Sequence, residues 1–256
     1  MKQILPRLAH GVLIAGGLGL LVLVCLGLIV LGRGYILYRQ ALDEASVAQK
    51  LEEIHSIPGY TTLDQMPAFY IQAVLAAEDH RFYSHPGYDV FAIGRALWND
   101  LLAGRFVQGG STITQQLAKN LWFTQEKRLV RKVAELFMAV ELENVCTKHE
   151  ILEAYLNSIY FGSGYTGIGQ AAEGYYGTTP AGLDMAQCAM LAGIPNAPTA
   201  YALDAHPELA AQRQRQVLRQ MVRRHFLTEQ QAETILLGGE PVRPTSAAVR
   251  LRLRLA

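Results

Sequence analysis

Pro67-Ala68-Phe69-Tyr70-Ile71-Gln72-Ala73-Val74-Leu75-Ala76-Ala77-Glu78-Asp79-His80-Arg81-Phe82-Tyr83-Ser84-His85-Pro86-Gly87 decides how the chain is read. Proline suits the first turn of a helix, where its missing N–H has no partner to lose. Phe69, Ala73, Ala76 and Ala77 then recur at spacings of three and four, which predicts an apolar helical stripe. Two adjacent carboxylates, Glu78 and Asp79, end it. They are poorly placed for packing and well placed to project into a cleft, where one could act as a general base. Two other readings stay open on these residues alone. One is a helix end closed by His85-Pro86-Gly87. The other is a metal site from Glu78, His80 and His85, whose histidines lack the i,i+4 spacing of familiar helical zinc sites.

The helical period continues outward. Asp89 is a candidate N-cap for a helix in which Val90, Gly94, Leu97 and Leu101 repeat, joined by Phe91, Trp98 and Leu102 and ended by Gly104. Ser111 or Thr112 can cap the next helix, which runs to Trp122. Further helices are predicted from about Lys127 to Glu143, Lys148 to Tyr160, Met185 to Ala192, Pro207 to Phe226 and Glu229 to Leu237. The last carries a capping box from Thr228 and Gln231. Strand-like alternation is confined to the tail Val249–Arg254, so the class is mainly α.

Composition excludes several functions. Of 256 residues, 50% are hydrophobic and 18% charged, too apolar for a disordered chain. Lys and Arg number 23 against 22 Asp and Glu, so a basic nucleic-acid-binding domain is not expected. The 3 cysteines form no Cys-x-x-Cys pair; Cys146 and Cys188 are expected to be buried and unpaired.

From Leu8 to Gly32 there is no Asp, Glu, Lys or Arg, a run of the length needed to cross a bilayer as a helix. No small-x-small cleavage pattern follows it, and Tyr35 and Tyr38 suit a membrane interface, which reads as an uncleaved signal-anchor. Lys2 and Arg7 on one flank balance Arg33 and Arg39 on the other, so charge does not set the orientation. The expected division is a short cytoplasmic tail at 1–7, a transmembrane anchor at 8–32, a connector at 33–59, a catalytic domain at 60–238 and a basic tail at 239–256. From Asp204 onward nine Arg face five acidic residues, an excess that suits an anionic lipid surface.

Three further segments concentrate polar groups. Gly109-Gly110-Ser111-Thr112-Ile113-Thr114-Gln115-Gln116-Leu117-Ala118-Lys119-Asn120 combines a close-approach glycine pair with a helix start, which attracts phosphate; an ordinary N-cap is the bland alternative. In Glu126–Glu135, Arg128, Arg131, Lys132 and Glu135 fall at i, i+3, i+4 and i+7. That is a basic stripe with one acid, or simply a solvated face. Lys148–Gly162 mixes core spacing with Glu153 and Asn157, and a structural role is preferred there.

In order and together, these segments resemble the glycosyltransferase family 51 domain of the peptidoglycan glycosyltransferases, the biosynthetic transglycosylases and glycosyltransferase domains of penicillin-binding proteins. Glu-Asp-x-x-Phe-x-x-His-x-Gly stands as Glu78 to Gly87, and Gly-Gly-Ser-Thr-Ile-Thr-Gln-Gln as Gly109 to Gln116. Arg-Lys-x-x-Glu is Arg131 to Glu135, and Ile-Leu-Glu-x-Tyr-Leu-Asn-x-Ile-Tyr-Phe-Gly is Ile151 to Gly162. Because the sequence ends at Ala256, the monofunctional type is the nearer match. Lys127 stands where Arg is commoner, and Gly169 and Gln187 where Glu is.

The resemblance implies a mainly α, lysozyme-like domain behind one N-terminal transmembrane helix. It implies polymerisation of lipid II into glycan strands, with the domain outside the cytoplasm of a bacterial cell membrane. Glu78 and Glu135 are the implied catalytic acids. Asp79, Ser111, Gln115, Gln116, Lys119, Asn120, Lys127, Arg128, Arg131 and Lys132 are the implied substrate contacts. A divalent cation, Mg2+ or Mn2+, is an optional guest at Glu135; no organic cofactor is expected. The implied partners are lipid II, the growing lipid-linked strand, the membrane and other cell-wall synthesis proteins. The helix of Phe91, Leu97, Trp98, Leu101 and Leu102, with Phe106 after it, matches the family's lipid-facing region, though its period suits core packing equally. Glu78 is expected to be ionised at neutral pH unless its burial is severe.

Overall fold

The computed structural model describes residues 4–104, 109–123 and 129–238. Among these the fold is mainly α and lysozyme-like behind one long apolar helix, with no strand beyond an isolated bridge between Tyr160 and Thr166. The helices are α1 (Ile4–Glu44), α2 (Val47–His55), α3 (Ala68–Glu78), α4 (Val90–Ala103), α5 (Ile113–Trp122), α6 (Leu129–Val145), α7 (Lys148–Ser158), α8 (Gly167–Tyr176), α9 (Met185–Gly193), α10 (Pro198–Tyr201), α11 (Pro207–Arg223) and α12 (Glu229–Leu236).

Local chemistry sets most boundaries. Asp89 caps α4 by accepting from the Ala92 amide at 2.9 Å, and Gly104 closes it. Of the two candidate caps for α5, Thr112 is the one used, in a reciprocal box with Gln115. Thr228 and Gln231 make the box expected at α12. The short α8 went unpredicted because its sequence, GIGQAAEGYY, hides the helical period behind glycines. Lys127, Arg128, Phe106 and the alternating tail Val249–Arg254 lie outside the described residues.

From Ile14 onward α1 offers 31 residues, and none of its most apolar window is buried against protein. At 1.5 Å per residue that is about 46 Å, longer than a hydrocarbon core of roughly 30 Å, so the helix is long and apolar enough to cross a bilayer. Its far end is different: Gly34, Tyr38 and Ala41 are buried and lie against α6.

The core centres on α3, whose residues Tyr70 to Ala76 are all buried, and α3 packs on α9 and α11. A second layer packs α5 between α6 and α7. Cys146 and Cys188 are buried and free, as expected. Asn157 and Glu153 of α7 are structural: Asn157 brackets Thr61, accepting from its amide at 2.9 Å and donating to its carbonyl at 2.8 Å. Glu153 accepts from the Leu63 amide and the Tyr60 hydroxyl. At Gly169, where the family resemblance leads one to expect Glu, a Cβ would fall 1.9 Å from the Gly59 carbonyl oxygen, so the backbones touch there. Gln187 caps α9 by accepting from the Asp184 amide at 3.0 Å.

Candidate active site

Glu78 sits where α3 stops. Its side chain is 8% exposed, lines a cavity of about 620 Å³ and faces Gln116 and Lys119 of α5 and Arg213 of α11. Its Oε2 accepts from Gln116 Nε2 at 2.9 Å, and Arg213 Nη2 lies 3.5 Å from its Oε1. Burial raises the Glu78 pKa above the ordinary carboxylate value; the Gln116 hydrogen bond and the Arg213 charge pull against that rise. Burial is therefore severe, which is the exception that the sequence reading left open for this carboxylate. Glu78 is a stronger base than a solvated glutamate.

Asp79 does something else. The chain leaves the helix at Asp79, turning its side chain into the packed interior. There His85 Nε2 lies 2.9 Å from Oδ2 and 3.1 Å from Oδ1, and the Ile113 amide donates to Oδ2 at 3.1 Å. Asp79 thus pins the end of α3 to the start of α5, which brings Gln116 to Glu78. His85 is committed to that pair, so no metal site forms from Glu78, His80 and His85.

The other expected residues separate into two groups. Ser111 and Lys119 line the same cavity as Glu78. Lys132 Nζ donates to Ser111 Oγ at 2.7 Å and to Glu135 Oε2 at 2.9 Å, while Arg131 Nε lies 2.9 Å from Glu135 Oε1. Burial lowers the Lys119 pKa; Glu135 counters that fall, Arg131 and Lys132 add to it, and Glu78 counters it again. Glu78, Lys119, Arg131, Lys132 and Glu135 therefore share one electrostatic neighbourhood. Gln115, by contrast, is buried and outside the cavity lining, and its Oε1 accepts from the Thr112 amide at 3.1 Å as a helix cap. Asn120 is exposed and outside the cavity lining.

Glu135 is 1% exposed, with each oxygen held by a cation, and no group of three or more His, Cys, Asp or Glu side chains able to hold a metal ion is gathered among the described residues. Two positive charges against one carboxylate do not fit a resident divalent cation.

Sequence reasoning did not find the opposite wall. Arg95 of α4 and Arg213, Arg223 and Arg224 of and after α11 line the cavity with Tyr201 and His80. Burial, Arg224 and Arg95 together push the His80 pKa down to about 4. Arg213 is held by its own bond from Nε to the Gly193 carbonyl at 3.2 Å. Its only sequence signal was an arginine among the buried positions of α11's period, which an excess of surface arginines masks.

The cavity thus sets a buried carboxylate of raised pKa among a cluster of cations in a mainly helical domain. The family model described as "Transglycosylase" matches residues 44–222, and the chain belongs to that family. It is 45% identical over 174 residues to penicillin-binding protein 1A of Aquifex aeolicus, covering 68% of this chain and 24% of the relative. It is 40% identical over 191 residues to penicillin-binding protein 1A of Vibrio cholerae, 75% of this chain and 23% of the relative. With penicillin-binding protein 1A of Escherichia coli the figures are 43% over 170 residues, 66% and 20%. The chain thus matches about a quarter or less of the length of these relatives.

Proposed function

We propose that this protein polymerises lipid II into peptidoglycan glycan strands at a bacterial cell membrane. The observation that carries the reading is the placement of Glu78: buried, raised in pKa and sharing a cavity with Lys119. In this reading Glu78 takes the proton from the 4-hydroxyl of the acceptor sugar. The oxygen attacks the anomeric carbon of the donor strand, the bond to undecaprenyl pyrophosphate breaks, and the anomeric configuration inverts. Negative charge grows on the departing diphosphate, which Lys119, Arg131 and Lys132 are placed to neutralise. Glu135 orients Arg131 and Lys132 through its two ion pairs. Asp79 ties the end of α3 to the start of α5, and Gln115 caps α5 through Thr112.

The substrate's lipid cannot leave the bilayer, so α1 spans it once as a signal-anchor, with the domain on the extracytoplasmic side. The exposed apolar face of α4 meets the membrane beside the cavity, where Arg95 of the same helix lies. Purified full chain in detergent, given lipid II, yields a ladder of glycan polymer and leaves preformed strands intact. Shortening of preformed strands without consumption of lipid II would identify a hydrolase and overturn the reading.

A further inference from the structure

The helices that carry Lys119, Arg131 and Lys132 are both tied to the far end of α1 or to the residue just past it. A Cβ built on Gly34 would fall 2.4 Å from Val133 Cγ1, 2.6 Å from Val133 Cβ and 3.0 Å from the Val130 carbonyl oxygen. Gly16, Gly17, Gly19, Gly27 and Gly32 on the same helix have nothing within 4 Å of that position, so the close approach belongs to Gly34. One turn on, the Tyr38 ring stacks on Phe137 with centroids 5.9 Å apart, and its hydroxyl donates to Glu141 Oε2 at 3.2 Å. Tyr35 meets Phe137 edge-on at 5.4 Å. Just past α1, the Ala45 carbonyl accepts from Trp122 Nε1 at 2.8 Å, on the helix that carries Lys119.

At about 100° per residue, Val130, Val133, Phe137 and Glu141 fall on one face of α6, and Arg131, Lys132 and Glu135 on roughly the opposite one. The helix is thus clamped between α1 on one face and the Glu135 ion pairs on the other, from which Lys132 reaches Ser111 in the cavity wall. We propose that Gly34 is a positioning residue for glycosyl transfer: the missing side chain seats α1 on α6 at the separation that holds Arg131, Lys132 and Glu135 in register with Lys119 and Glu78. This rests on the function proposed above. A packed interface does not absorb an added methyl group without moving, and a displacement of about 1 Å at a reacting centre can cost about 10²-fold. Groups that neutralise charge in the transition state act on kcat, whereas a tether that only delivers lipid substrate acts on KM.

The test compares full-length variants on lipid II in detergent, each checked for cooperative thermal unfolding. Gly34→Ala lowers kcat by at least about tenfold and leaves KM within about twofold. Gly32→Ala, whose new methyl meets nothing, keeps both constants. The exchange Gly34→Ala with Val133→Gly moves the missing side chain to the facing helix and restores most of kcat. Should Gly34→Ala fail to fold, Tyr38→Phe, which removes only the bond to Glu141, lowers kcat by about twofold at unchanged KM. Wild-type kcat in Gly34→Ala, a loss confined to KM, a loss the exchange does not restore, or an unchanged kcat in Tyr38→Phe overturns the proposal. A wild-type chain that makes no polymer overturns glycosyl transfer and this inference together; an active wild type with an unimpaired Gly34→Ala overturns the inference alone.

Discussion

α3 and α4 are both apolar helices of ordinary length flanking the same cavity, and they meet opposite fates. Every residue of α3 from Tyr70 to Ala76 is buried, so its polar end, Glu78, is presented by a helix that cannot shift without disturbing the core. On α4 only Ala96 is buried among the described side chains, while Phe91 is 69% exposed, Trp98 62%, Leu101 76% and Leu102 69%. A water-facing helix does not keep such a row of large apolar groups without a use for it. α3 is thus a rigid element that fixes Glu78, while α4 lends the cavity Ala92 and Arg95 and turns its large apolar side chains outward.

The strongest test of that division is at the tip of α3. Glu78→Gln retains the carbonyl that can accept from Gln116 but no longer takes a proton, and is expected to lose at least about 10²-fold in polymerisation with unchanged thermal unfolding. Stability measurements then separate the two helices. Leu75→Ala, 2% exposed, should cost about 2–5 kcal/mol in denaturant unfolding, whereas Leu101→Ala should stay within about 0.5 kcal/mol. Comparable costs at the two positions would mean that α4 packs as core. A smaller effect is expected from Leu101→Asp combined with Leu102→Asp: polymerisation in lipid vesicles falls about tenfold while detergent activity and unfolding change little. Equal activity in vesicles would remove α4 from the membrane.

The contrast also shows where sequence reading succeeds. Caps are local, so Asp89, Thr228 and Gln231 could be named from a few neighbouring residues, and so could the ends of α3 and α4. The Glu78–Asp79 pair was visible as two carboxylates, but their division of labour was not. It depends on a backbone turn at Asp79 and on His85 and Ile113, six and thirty-four residues away. Periodicity could not choose between core and lipid for α4, because both demand the same apolar spacing. Gln115 and Gln116 stand side by side in one motif, yet one caps the helix and the other reaches Glu78, a choice fixed by 100° of helical rotation. Arg213 was counted as one of many tail arginines; its meeting with Glu78 is a contact between helices 135 residues apart in number, beyond any local pattern.

That contact gives the finest of the expected effects. Burial raises the Glu78 pKa, and Gln116 and Arg213 both lower it by favouring the charged carboxylate. Glu78 must be deprotonated to act as a base, so kcat/KM should fall as pH drops through this raised pKa. Removing the Arg213 charge removes one of the lowering influences, so the pKa rises further. The acid limb of the profile for Arg213→Gln is therefore displaced to higher pH, and Arg213→Lys, which keeps a positive charge at the site, restores part of the displacement. At a pH well above the limb Arg213→Gln should recover most of its rate, because the carboxylate is ionised in either protein. An acid limb that stays in place, with activity reduced equally at every pH, would mean that Arg213 serves the packing of α11 on Gly193 and not the proton affinity of Glu78.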